Sequence, residues 1–165
     1  MSSRPIVRWP HACLRTQAQQ VEVIGDDIQV IWNDMIDTME AMPGLGLAAP
    51  QIGIGLALAV VDASDTRGQA IRLANPHVIE AAQETGAYPE GSPCLPGVSA
   101  EIVRPAKVRV GFLDASGQEV EHVFEGLWAR SVQHQIDHLQ GRMYFDHLSR
   151  TKRAMLIKRA GKSKP

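Results

Sequence analysis

Apolar residues recur at three- and four-residue steps after Asp26-Asp27. Ile28, Ile31, Met35, Met39 and Met42 fall on one face, which predicts a helix that Pro43-Gly44 ends. The following GLGLAAPQIGIG is too dense in glycine for a helix. Leu56 to Val61 (LALAVV) is a short apolar run, expected as a buried strand, and Ile71 to Leu73 as a weaker one. Residues 84–97 (ETGAYPEGSPCLPG) carry three prolines and are expected to be loop or irregular edge. Val108 to Leu113 and Glu119 to Phe124 alternate apolar and polar positions around Asp114-Ala115-Ser116-Gly117, the pattern of a hairpin. Glu125 to Gln140 is expected as a helix with Gly141 as its C-cap. Ser149 caps a final helix through about Ala160. Strands precede the main helix instead of alternating with helices, which favours an α+β fold over a doubly wound sheet.

At 165 residues and 44% hydrophobic, the chain fits one domain over residues 1–165 with a core of ordinary size. No apolar run approaches the ~20 residues that span a bilayer, and the opening MSSRPIVRWPH lacks the apolar stretch of a signal peptide. The expected location is the cytoplasm, and nothing points to a membrane or to DNA. There a compact domain seldom needs a disulfide between its two cysteines. Cys13, in an apolar setting, is expected as a small core residue.

The net charge of −1 hides an asymmetry. Residues 141–165 carry eight Lys/Arg against one Asp, whereas residues 1–140 carry nine against seventeen Asp/Glu. The basic stretch, a helix and tail over about 149–165, is either a solvated end or a contact for an anionic partner such as the ribosome.

The candidate chemistry begins with SVQHQIDHLQG, Ser131 to Gly141. His134 and His138 are four apart, so on a helix both imidazoles share one face and can converge on a metal ion. A catalytic metal usually takes a third protein ligand, and Cys94 is the one thiol in a loop. Asp137 points to another face, suited to packing or to a bond that orients a ligand.

Three segments together resemble the peptide deformylase family. Gly44–Gln51, GLGLAAPQ, matches its motif G-x-G-L-A-A-P-Q in full. Glu90-Gly91 with the Leu-Pro-Gly downstream and Arg104-Pro105 is similar to E-G-C-L-S-x-P-G followed by R-P. QHQIDHLQG is similar to Q-H-E-x-D-H-L-x-G. IVRWPHACLR and MYFDHLSRTKR extend the likeness over nearly the whole chain. The resemblance implies antiparallel sheets packed around a central H-x-x-x-H helix, with a C-terminal helix. It implies that a divalent metal, iron or zinc, activates water to remove the N-formyl group from formyl-methionyl nascent peptides. It assigns His134 and His138 to the metal and Gln51 to the oxyanion, with the backbone N–H of Leu95 sharing that work. Gly44, Gly46 and Leu47 would hold substrate.

Two departures stand against that assignment. The family's general base is a glutamate, and position 135 is glutamine, which orients water but takes no proton. Aligned without a gap, Ser92 stands where the family's cysteine ligand belongs, and Cys94 lies two residues on. In an extended segment that is a displacement of about 6.6 Å, large against a metal–sulfur bond of about 2.3 Å. A neutral serine hydroxyl is a poor ligand for these metals. Glu90 is expected to pair with Arg104. The double departure favours a relative whose reaction is weak or lost and whose metal is weakly held or absent. The alternatives are a working atypical deformylase, a non-catalytic binder of N-terminal peptides or the ribosome, and a different metal-dependent hydrolase.

Overall fold

A computed structural model of the protein describes residues 2–162. The end of the expected basic tail, 163–165, lies outside them. The helices are α1 (Asp26–Ala41), α2 (Gly126–Leu139) and α3 (Arg150–Lys162). The strands are β1 (Gly46–Ala48), β2 (Leu58–Val61), β3 (Ile71–Ala81), β4 (Thr85–Glu90), β5 (Ala100–Pro105), β6 (Lys107–Leu113) and β7 (Glu119–Glu125). A five-stranded antiparallel sheet runs β1-β2-β3-β6-β7, and β4-β5 form a separate antiparallel pair. The α+β expectation holds.

The sheet is covered on both faces, and β2 shows why LALAVV reads as an unbroken apolar run. Leu58 and Val60 pack with Trp32, Met35 and Met39 of α1. Ala59 and Val61 face the other way, with Val132 and Ile136 of α2. A third cluster joins Ile102 of β5 to Tyr144, Phe145 and Leu156. The helix α2 therefore lies between the large sheet and the small one. Gly141, at φ +76°, ends it in the left-handed conformation that glycine adopts without steric cost.

The hairpin between β6 and β7 forms as expected. Asp114 Oδ1 accepts the backbone N–H groups of Ser116 and Gln118 at 2.9 and 3.0 Å, an Asx turn. Two strand expectations need correction. Ile71–Leu73 is only the start of β3, which runs eleven residues. Asn75 breaks its pattern at φ +52°. Its amide clasps Val21, accepting from the backbone N–H at 2.8 Å and donating to the carbonyl at 2.7 Å, and the strand resumes after a register shift. Residues 84–97, expected as loop or irregular edge, begin with a regular edge strand, since Thr85–Glu90 pair residue for residue with Ala100–Pro105. Residues 85–89 of β4 are all exposed, so no apolar alternation announces it. Pro89 is tolerated because β4 has a partner on one side only. Cys13 is half-buried rather than core, because Leu14 takes the fully buried position in that turn. Both cysteines are free thiols.

Where α2 crosses β1 the backbone approaches so closely that position 46 has no room for a side chain. A Cβ there would lie 2.5 Å from Ser131 Oγ, 2.7 Å from Gln135 Nε2 and 3.0 Å from the Val60 carbonyl. Ser131 cannot easily give way, because its hydroxyl donates to the Leu45 carbonyl at 2.8 Å. Gly46→Ala is expected to cost about 1–3 kcal/mol, read as a lowered midpoint in chemical denaturation. An unchanged midpoint would show that this contact is slack.

Candidate functional site

The crossing of α2 and β1 borders a cleft of about 530 Å³. Residues 42–46 form one wall, 88–93 the other, and α2 supplies the floor with Arg130, Ser131, His134 and Gln135. These floor residues fall at the three- and four-residue intervals that share a helix face.

His134 is held from behind. Its Nδ1 lies 2.9 Å from Glu90 Oε1. The same carboxylate accepts from Arg104 Nε at 2.6 Å and from its terminal nitrogen at 2.9 Å. Burial alone would raise the Glu90 carboxyl, but the bonds from His134 and Arg104 outweigh it and bring it down to about 2. An ionised Glu90 accepts only, so His134 donates from Nδ1 in that bond. His138 is fully buried, and neither ring nitrogen has a partner among the described residues. Burial first, then the neighbouring His134 and Arg104, hold its pKa far below the usual imidazole value. The two rings sit 5.0 Å apart between centroids.

Gln135 is buried at the same place, and its Oε1 also lacks a partner. Gln51 borders the cleft. Its Oε1 accepts the Ala48 N–H at 2.9 Å, and its Nε2 lies 3.7 Å from Cys94 Sγ. Cys94 is 1% exposed and packs with Leu14 and Tyr144. Burial pushes its thiol up, only partly offset by Gln51 and Ser92. Ser92 is buried at the cleft wall, and its Oγ caps the Cys94 N–H at 3.3 Å. The Leu95 N–H is used within its own turn, donating to the Ser92 carbonyl at 3.0 Å. Gly44 and Gly46 line the cleft, whereas Leu47 is fully buried against α1 and its side chain lies in the core.

The donor set decides how far a metal fits. Two imidazoles on one helix face, one with both nitrogens orphaned in the interior, suit a metal. The third position does not. Ser92 offers a neutral hydroxyl, and Cys94 is a buried thiol turned to Gln51. Among the described residues no three His, Cys, Asp or Glu side chains are grouped to hold an ion. The residues present do not complete a three-ligand set.

Sequence reasoning finds the Glu90–Arg104 pair but misses its continuation. Arg104 also binds Asp137 at 3.0 Å, and Asp137 accepts from His147 Nε2 at 2.7 Å. It misses Arg130 as well, although the spacing of four residues from His134 placed both on one face.

With the fold and cleft defined, comparison with known proteins gives the family. The model described as polypeptide deformylase matches residues 3–154. A peptide deformylase of Methylocella silvestris is 39% identical over 168 residues, 99% of this chain and 86% of that one. One from Phenylobacterium zucineum is 39% identical, over 98% and 97%. Among solved structures, the peptide deformylase of Ehrlichia chaffeensis in complex with actinonin superposes with a TM-score of 0.92 at 33% identity, covering 99% of both chains. That of Legionella pneumophila gives 0.88 at 38% identity, over 99% and 100%. The chain belongs to the polypeptide deformylase family.

The buried carboxylate yields a pH test. Glu90 has a folded pKa of about 2 against an ordinary 4.5, so its contribution is full above about pH 5 and drains away as pH falls toward 2. The contribution is on the order of 3 kcal/mol. Glu90→Gln should lower stability at neutral pH by about 3–5 kcal/mol, because it leaves Arg104 short of charge. The difference from the native chain should shrink as both are acidified. A constant difference from pH 6 to pH 3, followed by thermal melting, would refute this.

Proposed function

We propose that this deformylase-family chain keeps the cleft for N-terminal peptides, formyl-methionyl or other, while deformylation is weak or lost. The observation that carries the reading is Gln135. A glutamine at the cleft floor, beside His134, has no group to take a proton from water, and losing a positioned acid–base group costs on the order of 10²–10⁴ in rate. The incomplete ligand set acts in the same direction. Binding needs neither. Gln51 Nε2 is a neutral donor suited to a formyl or peptide carbonyl, and the unpartnered Gln135 Oε1 is an acceptor for a peptide N–H. His134, oriented by Glu90, packs beside them. The metal of the family's reaction would supply activated water if it were bound. The set His134, His138 and Ser92, with the buried Cys94 thiol against Gln51, supports weak or no loading.

A second reading concerns α3. Its exposed Arg150, Lys152 and Lys158 support contact with an anionic surface such as the ribosome. No helix of the described residues is long and apolar enough to cross a membrane.

The decisive measurement is metal content together with formate release from formyl-Met-Ala-Ser. The native chain should hold well under one equivalent of iron or zinc and release little formate. The double variant Gln135→Glu, Ser92→Cys should gain metal and turn over about 10²–10⁴ times faster. A native chain that carries a full equivalent and equals the double variant in rate would sink the proposal.

A further inference from the structure

Residues 42–46 form one wall of the cleft, and their sequence MPGLG gives them little stiffness of their own. Glycines at 44 and 46 leave the peptide units around Leu45 many conformations when nothing holds them. Leu45 lines the cleft and is 42% exposed, so packing restrains it only in part. Its backbone is restrained instead by hydrogen bonds to the carbonyls on either side of its N–H. The Leu45 carbonyl accepts the Asp62 N–H and the Ser131 hydroxyl, each at 2.8 Å. The Gly44 carbonyl accepts from a terminal nitrogen of Arg67 at 2.7 Å.

Arg67 reaches this wall from outside the cleft, from the loop between β2 and β3. Its Nε and the same terminal nitrogen grip the two carboxylate oxygens of Glu40, in the last turn of α1, at 3.2 and 2.9 Å. Its other terminal nitrogen donates to the Asp62 carbonyl at 2.9 Å. One planar fork thus ties together α1, the loop and the wall. The loop is itself set by the fully buried Asp62, whose carboxylate accepts from the Ser64 N–H and hydroxyl and from the Gln69 N–H. It holds Arg67 at φ +60°, a left-handed conformation that is sterically unfavourable for a residue with a Cβ. Global stability does not account for the arrangement. The Arg67 and Glu40 side chains are 28% and 35% exposed, and an ion pair so open to water contributes little. Its effect is local, at the wall.

We propose that Arg67 is a positioning residue for the cleft: by holding the Gly44 carbonyl it fixes the backbone at Leu45 in the conformation that a bound peptide meets. This rests on the reading of the cleft as an N-terminal peptide site. A wall already ordered in the free chain need not be ordered by the ligand, and that saving appears as affinity. Without the fork, Leu45 keeps its own two bonds, but the Gly44 peptide unit is released and binding has to order it.

Calorimetric titration of the full chain with formyl-Met-Ala-Ser tests this, together with the denaturation midpoint and the amide hydrogen exchange of residues 42–46 in the free chain. Arg67→Met keeps an apolar stem and removes the fork. It should weaken binding about tenfold, speed exchange at 42–46 and leave the midpoint nearly unchanged. Arg67→Lys should restore part of the affinity. Glu40→Ala should give a smaller loss, and the double variant Glu40→Ala, Arg67→Met should bind no more weakly than Arg67→Met alone, because Glu40 acts through Arg67. An Arg67→Met chain that binds as tightly as the native one would overturn the inference and leave the peptide-site reading standing. So would a loss of affinity matched by a large fall in the midpoint, which marks a structural role alone. A native chain that does not bind the peptide would overturn both. If Arg67→Met fails to fold, Glu40→Ala against the native chain decides: equal affinity overturns the inference.

Discussion

One buried chain of charge fixes the geometry of everything around the cleft. Glu90 at the end of β4, Arg104 on β5 and Asp137 on α2 are each 8% exposed or less at the side chain. Together they tie the small sheet to the main helix. Removing one member strands the others in the interior, which costs far more than the pair contributes. The chain also acts at its ends. Glu90 orients the ring of His134, and Asp137 anchors His147. A histidine aimed into a cleft needs such a backstop, because a free imidazole would rotate.

This scaffold does not include positions 92 and 135. None of the three charged groups stands at position 92 or 135. Exchanging a cysteine for serine, or a glutamate for glutamine, leaves the ionic chain and the close crossing at Gly46 in place. The residues that brace the cleft are thus distinct from those at 92 and 135. The likeness to a solved deformylase, a TM-score of 0.92, is therefore a likeness of scaffold first.

Much of this was legible in the residues. The helix period of α1, the Asx turn between β6 and β7 and the two histidines four apart each follow from local rules. GLGLAAPQ identifies the cleft's rim. The remainder depends on partners distant in sequence. The strand β4 has no buried face along residues 85–89, so no alternation marks it, and its pairing with β5 is a tertiary fact. Nothing local reveals that Arg104 divides itself between two carboxylates. Nor does spacing alone decide where Cys94 turns. Its burial against Leu14 and Tyr144 depends on how the N-terminal segment packs. Arg130 was visible in the helix period but had no motif to draw attention to it.

The large sheet also carries protection against its own edges. It ends at β7, where Glu119, Glu121 and Glu125 alternate along the strand, and Arg109 and Lys107 of β6 bind two of them from the inner side. At the opposite end β1 offers only three residues. An incoming strand from another molecule would meet a row of carboxylates at one border and too short a template at the other. The sheet is thus closed to further growth, and that guards the folded chain against edge-to-edge polymerisation.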